Sequence, residues 1–120
     1  MPALNAFGAI LSHAIELETQ LRDYYKRAGD ETRAADADKR RQNLERVRRE
    51  NVTEIKLEPI EGLASETYAL NLDDTSPAGQ QAAETMAARF YTDVIPHFNV
   101  REAQRALERC ARQHGELAQQ

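Results

Sequence analysis

Between residues 7 and 28 the chain places apolar side chains at steps of three and four: Phe7, Ile10, Leu11, Ala14, Leu17, Leu21, Tyr24, Tyr25 and Ala28. That spacing follows the 3.6-residue period of an α-helix and puts all of them on one face. A face so continuously apolar has to be covered, so the segment predicts a helix packed against other elements. One charged residue, Glu18, sits beside this stripe. The stretch "ELETQLRDYY" at 16–25 has an echo in "AAETMAARFY" at 82–91. In each, a glutamate precedes a tyrosine by seven residues, Glu18 to Tyr25 and Glu84 to Tyr91, and each tyrosine follows another aromatic, Tyr24 or Phe90.

The rest of the chain favours the same kind of element. Its 120 residues hold only 5 Gly and 4 Pro, too few to punctuate a chain of many short strands. Alanine, leucine, glutamate, arginine and glutamine dominate, and all are good helix formers. With 41% hydrophobic and 30% charged residues, the chain can bury one core and is not of a disordered composition. One domain covering 1–120 is therefore expected.

Punctuation then sets the boundaries. The first helix is predicted over 3–28 and ends at Gly29, which suits a left-handed C-cap. Asp30 or Thr32 can cap a second helix over 32–54. Its inward residues are Ala34, Ala37, Leu44, Val47 and Val52 or Ile55, a thin stripe that passes Arg41, Arg48 and Asn51. Ser76 as N-cap and Pro77 in the first turn open a third helix, which Pro96 limits at about residue 95. Asn99 with Glu102 resembles a capping box and opens a fourth, with Ala103, Ala106, Leu107, Cys110, His114 and Leu117 inward.

Residues 55–75 break the helical pattern. One reading is a crossover laid along a bundle. The other is a β-hairpin at about 53–72, with "TEIKLEPI" paired to "TYALNLDD", which makes the fold α+β. About 20 extended residues reach about 65 Å, whereas a helix of about 25 residues is about 38 Å long. A crossover can therefore start the third helix at the end of the bundle away from where the second stops. The expected fold is all-α: a four-helix bundle of two helical hairpins, 3–54 and 76–118, joined by that crossover.

Charge excludes several functions. The net charge is −4, against a chain built to bind nucleic acid as a whole. Seven basic side chains lie in 33–49, but no aromatic residue is interleaved among them, so the run lacks a stacking platform for single strands. The N-terminal stretch has no basic start, and no run approaches the roughly 20 apolar residues of a membrane span. A single cysteine, Cys110, allows no internal disulfide. A cytoplasmic setting is expected, with neither membrane nor nucleic acid as partner. There is no glycine-rich phosphate loop, no G-x-S-x-G and no C-x-x-C.

Shifting the chain by 66 residues lays Glu18 and Tyr25 on Glu84 and Tyr91. A shift of 63 lays "LERVRREN" at 44–51 on "LERCARQH" at 107–114. Two similar hairpins thus compose the domain. With the crossover and the glutamate-to-tyrosine spacing, this pattern resembles the ferritin-like family, including rubrerythrin-type proteins, over most of the chain. The resemblance implies a dinuclear iron or manganese centre, with glutamates from the first and third helices and a Glu-x-x-His pair from each of the others. Glu18 and Glu84 match the first two positions.

The remaining positions depart from it, because no E-x-x-H occurs anywhere. The second helix offers Glu50 with Thr53, or Asn51 with Glu54. The fourth offers His114, whose repeat mate is Asn51. A centre of Glu18, Glu84, His114 and Glu50 or Glu54 would be poor in ligands, and Arg48 and Arg49 would repel a dication. Glu18 can instead pair with Arg22, one turn on. The tyrosines read as packing residues. Cys110 reads as a small core residue, although His114 lies one turn away. His13 with Glu16 is a common spacing, and His97 suggests nothing specific. The expectation is a non-catalytic interaction or assembly protein with no cofactor and an incomplete site. It would form a homodimer, or meet a protein partner, through its thinly apolar second helix. The alternative is an iron or manganese protein acting in iron handling or oxidative-stress chemistry.

Overall fold

The computed structural model describes residues 7–51, 65–98 and 100–119. Four helices make up the bundle: α1 (Phe7–Ala28), α2 (Glu31–Asn51), α3 (Pro77–Val94) and α4 (Arg101–Ala118). Short 3-10 turns lie at Ser65–Tyr68 and Ile95–His97. No strand occurs among the described residues. The alternative β-hairpin is not supported: its second half is a 3-10 turn followed by irregular chain, and residues 52–64 lie outside the described residues.

The turn between α1 and α2 is set by two residues. Gly29 takes φ +82, a left-handed conformation that costs glycine little. The Asp30 N–H then donates to the Tyr25 carbonyl at 2.9 Å, closing a Schellman-type end. Asp30 also begins the next helix, because its Oδ1 accepts from the Arg33 N–H at 3.0 Å. Ser76 caps α3 as expected, accepting from the Gly79 N–H at 3.2 Å, with Pro77 in the first turn. At α4 the expectation shifts. Val100 is the N-cap and makes no side-chain cap bond, and Asn99 lies outside the described residues.

Packing follows the apolar stripes. Ile10, Leu11, Leu17, Leu21, Tyr24 and Tyr25 of α1 are buried, as are Phe90, Tyr91 and Val94 of α3. Each fully buried aliphatic side chain contributes about 1.5–3 kcal/mol. The α2 contribution is thin, being Ala34, Ala37, Leu44 and Val47. Residues 65–76 run back along the bundle. Tyr68 is buried against Phe90 at 5.3 Å between ring centroids, and its hydroxyl donates to Asp93 at 2.8 Å. Arg27 donates to the Leu72 carbonyl, and Tyr24 to the Asp74 carbonyl. The start of α3 is thereby tied to the end of α1 where α2 also begins. α3 therefore starts at the end of the bundle away from where α2 stops, as a long crossover requires.

Gly79 sits where the chain enters α3, and a Cβ there would collide with the backbone carbonyl of Asp74. Gly79→Ala is expected to cost about 1–3 kcal/mol through this overpacking. Urea unfolding of both proteins, with an unchanged m-value, is the measurement. A difference below about 0.5 kcal/mol would show that the loop simply yields.

Candidate functional site

At mid-height in the bundle the stripes carry polar residues inward. Glu18 of α1, Glu84 of α3 and His114 of α4 are all fully buried, and Arg40 of α2 is nearly so. They meet in one cluster. Tyr91 donates its hydroxyl to Glu18 Oε2 at 2.6 Å, and Tyr25 donates to Glu84 Oε1 at 2.5 Å. The two glutamate–tyrosine pairs of the sequence therefore exchange partners. As numbering rises on α1 from Glu18 to Tyr25, it falls on α3 from Tyr91 to Glu84, so the two helices run antiparallel. The seven-residue spacing is two turns, which brings both residues to one face and separates them enough to bond in both directions. The tyrosines are thus more than packing residues.

His114 lies between the carboxylates. Its Nε2 faces Glu18 Oε2 at 2.7 Å and its Nδ1 faces Glu84 Oε2. Its ring stacks on Tyr91, with centroids 5.6 Å apart and planes 7° from parallel. Glu18 gains one more donor, Arg40 Nε at 2.8 Å from Oε1. Arg40 Nη1 continues to Gln113 of α4 at 3.0 Å. The Nη2 atom is buried without a partner among the described residues.

Electrostatics make the cluster self-consistent. Burial works against the charged form of His114. The Glu18 charge outweighs it, with hydrogen bonds to Glu18 and Glu84, and pushes the imidazole up to about 9. At neutral pH it is an imidazolium donating from both nitrogens. Burial likewise opposes the charge on Glu18, but His114, Arg40 and the Tyr91 hydroxyl hold its carboxyl below the usual range. Burial would also lower Arg40, and Glu18 keeps it charged. Two carboxylates face two cations, so the charge sums to zero where an isolated ion would be very costly.

No protein-family model, curated protein or solved structure matches this chain significantly.

The structure brings Glu18, Glu84 and His114 together, and Glu50 lies apart from them. Glu50 is exposed on α2 and pairs with Arg46 at 3.2 Å, and Glu54 lies outside the described residues. Glu18 does not pair with Arg22, which bonds Asp23 and Asp38. Arg48 and Arg49 are exposed, and the arginine at the cluster is Arg40. This residue was legible as a missing step. Ala37 and Leu44 are seven apart, and Arg40 completes 37–40–44–47, whereas Arg41 points outward to Asp38 and Glu45. The partner that α2 sends to the cluster thus lies about three turns before Asn51.

A dinuclear metal centre does not fit these side chains. Both nitrogens of the only histidine present are engaged by carboxylates, α2 supplies a guanidinium instead of a carboxylate, and Glu50 is on the surface. No group of three potential ligand residues arranged to hold an ion occurs among the described residues. Nucleophilic chemistry fits no better. Burial pushes the Cys110 thiol up to about 12, and both nitrogens of His114 are taken. His13 is half-buried against Phe90 with its pKa lowered by burial, while its neighbour Glu16 is exposed. His97 is also exposed.

Two measurements follow. The folded pKa of His114 is raised, so its contribution is complete below 6.5 and is lost as pH rises through about 9. A rise from 6.5 to about 9 corresponds to about 3 kcal/mol. Unfolding free energy should fall by about that amount between pH 6 and pH 10, and far less in His114→Gln. Equal pH profiles would contradict an imidazolium. On the acid side, Glu18 is lowered, so its contribution is present above 4.5 and is lost as pH falls through its folded value. Tyr91→Phe and Tyr25→Phe should each cost about 1–3 kcal/mol, because each leaves a buried carboxylate one donor short. Denaturation of both variants checks whether the exchanged bonds count equally.

Proposed function

We propose that this chain is a ferritin-like helical protein in which a metal-free cluster has taken the place of the dinuclear centre, and that it works as a non-catalytic interaction or assembly module. One observation carries this reading: the imidazole of His114 spans both carboxylates that such a centre would need. Arg40 supplies the second positive charge. The exchanged Glu18–Tyr91 and Glu84–Tyr25 bonds support descent from a duplicated hairpin. The single long crossover is the connection that ferritin-like bundles use. Glu18, Glu84 and His114 are closed to solvent and present no face to a substrate.

The interaction surface we assign to α2, as a homodimer contact or a protein-partner contact. The helix buries mostly alanine in its first half, and its outer face is polar. Arg48 and Arg49 are exposed and make no ion pair among the described residues. With Ser12, Ile15 and Glu45 they line an open cleft of about 650 Å³. No helix among the described residues is long and apolar enough to cross a membrane. A reducing, cytoplasmic setting accords with a lone buried thiol.

Metal content decides between this reading and an iron or manganese protein. Protein purified from metal-supplemented medium is expected to carry less than about a tenth of an ion per chain. About two ions per chain, lost in Glu18→Ala and Glu84→Ala, would establish the dinuclear alternative. Light scattering tests the second part: a strict monomer at high concentration, with no partner engaging α2, would remove the proposed contact.

A further inference from the structure

Every exposed residue of α4 is arginine or glutamate. Four of them, Arg101, Arg105, Arg109 and Arg112, stand at steps of four, four and three, so they form one stripe about 17 Å long at 1.5 Å per residue. None of the four makes an ion pair or a hydrogen bond among the described residues. On α2, by contrast, Arg41 and Arg46 are satisfied by Asp38, Glu45, Glu50 and Glu102. The two helices run antiparallel, since Arg40 meets Gln113 and Arg46 meets Glu102. Lys39 therefore lies level with Arg112, and Arg49 with Arg101. Both are exposed and unpaired among the described residues, and both line an open depression of about 520 Å³ around Arg46. Four unpaired cations of α4 and two of α2 thus lie along one side of a chain whose net charge is −4.

The make-up of this face selects its partner. A protein interface centres on aromatic and apolar anchors. A helix lying on a membrane needs an apolar face to insert. Single strands need aromatic rings on which bases stack. The exposed side of α4 offers none of these. Interfaces with duplex nucleic acid are polar and strongly cationic, and their affinity comes from counterions released by the phosphates. The planar guanidinium also suits phosphate, which it grips through two parallel bonds. We propose that the arginine stripe of α4, with Lys39 and Arg49 of α2, docks the phosphate backbone of a duplex nucleic acid without regard to base sequence. The net charge opposes binding by the chain as a whole, and helical periodicity makes this face the exception. Its acids set the strength and the limit. Glu102 is neutralised by Arg46. Glu108 stands one turn from Arg105 and from Arg112, pairs with neither, and faces the approaching phosphates. Asp36 and Glu116 line the cleft of about 240 Å³ beside Arg40 and bound the cationic area at that end. The contact is therefore weak and sensitive to salt.

The test titrates labelled duplex RNA and labelled duplex DNA of mixed sequence with the full chain, reading fluorescence anisotropy across a salt series. Binding is expected with a Kd of about 100 µM or tighter at about 50 mM salt, and log K should fall against log salt with a slope of about −3 to −5. Equal affinity for the two duplexes, or a preference for one, supports the surface and names the source of the phosphates. Arg105→Gln with Arg109→Gln should weaken binding at least about fivefold and reduce the slope by about 2. Replacing all four arginines of the stripe by Gln should abolish it at unchanged helicity. Glu108→Gln removes a repelling carboxylate and should tighten binding about two- to fivefold, a gain that a damaged fold cannot give. Lys26→Gln, exposed on α1 away from this face, should leave it unchanged. If the fourfold variant unfolds, the Arg105–Arg109 pair and Glu108→Gln decide the matter. No duplex binding at about 50 mM salt would overturn the proposal, as would affinity that ignores the arginine substitutions. Tighter binding to a single strand, to poly-glutamate or to phosphatidylserine vesicles than to either duplex would overturn it too, and would assign the face to that other partner.

Discussion

Two carboxylates buried in a helical bundle set the terms for everything around them. Glu18 and Glu84 face inward on helices whose neighbouring residues are leucine, alanine and aromatic, and neither can keep a charge there alone. The imidazole of His114 answers both at once, because its two nitrogens lie on opposite sides of the ring. This single bridge ties α4 to α1 and α3. Arg40 then brings α2 to the same point. Each helix of the bundle thus sends one charged side chain to a shared centre, and the hairpins are held in register by hydrogen bonds as well as by apolar contact. Breaking any member leaves an uncompensated buried charge, the costliest kind of defect in a core.

The cluster also explains the unusual spread of apolar residues. α1 and α3 carry the large side chains, and α2 carries four small or medium ones. A helix with so little apolar surface gains from Arg40, whose stem packs inward while its head is neutralised. Specificity follows from the same arrangement. A one-residue rotation of α2 would withdraw Arg40 from Glu18 and break their buried ion pair. The polar centre therefore fixes which faces meet, a role well attested for buried polar groups in helical assemblies.

Much of the fold was legible beforehand, and the reasons are local. Gly29, Asp30, Ser76 and Pro77 act through backbone geometry and hydrogen bonds within a few residues, so the boundaries they set can be read directly. The stripes of α1 and α4 are dense enough to identify their inward faces, which placed His114 inward and Glu18 beside the apolar stripe, and the 66-residue repeat pointed from Glu18 to Glu84. The errors arose where the pattern thins. In α2 the thin stripe was read through Arg41 where Arg40 is the inward residue, and the 63-residue repeat, which pairs His114 with Asn51, pointed too far along the helix. The segment 65–72 alternates like a strand, yet Tyr68, Leu70 and Leu72 serve an irregular chain pressed on the core.

The sequence by itself determined four helices, the Gly29 and Ser76 caps, and a glutamate seven residues before a tyrosine in the first and third helices. Periodicity and capping are properties of neighbouring residues, and they need no knowledge of the partner. Only the tertiary structure decided that the pairs exchange, so that Tyr91 serves Glu18 and Tyr25 serves Glu84. The antiparallel course of α1 and α3 produces that exchange, and no local rule states it. The same holds for the protonation of His114. A histidine's charge depends on what faces both of its nitrogens, and here the carboxylates come from residues 30 and 96 positions away.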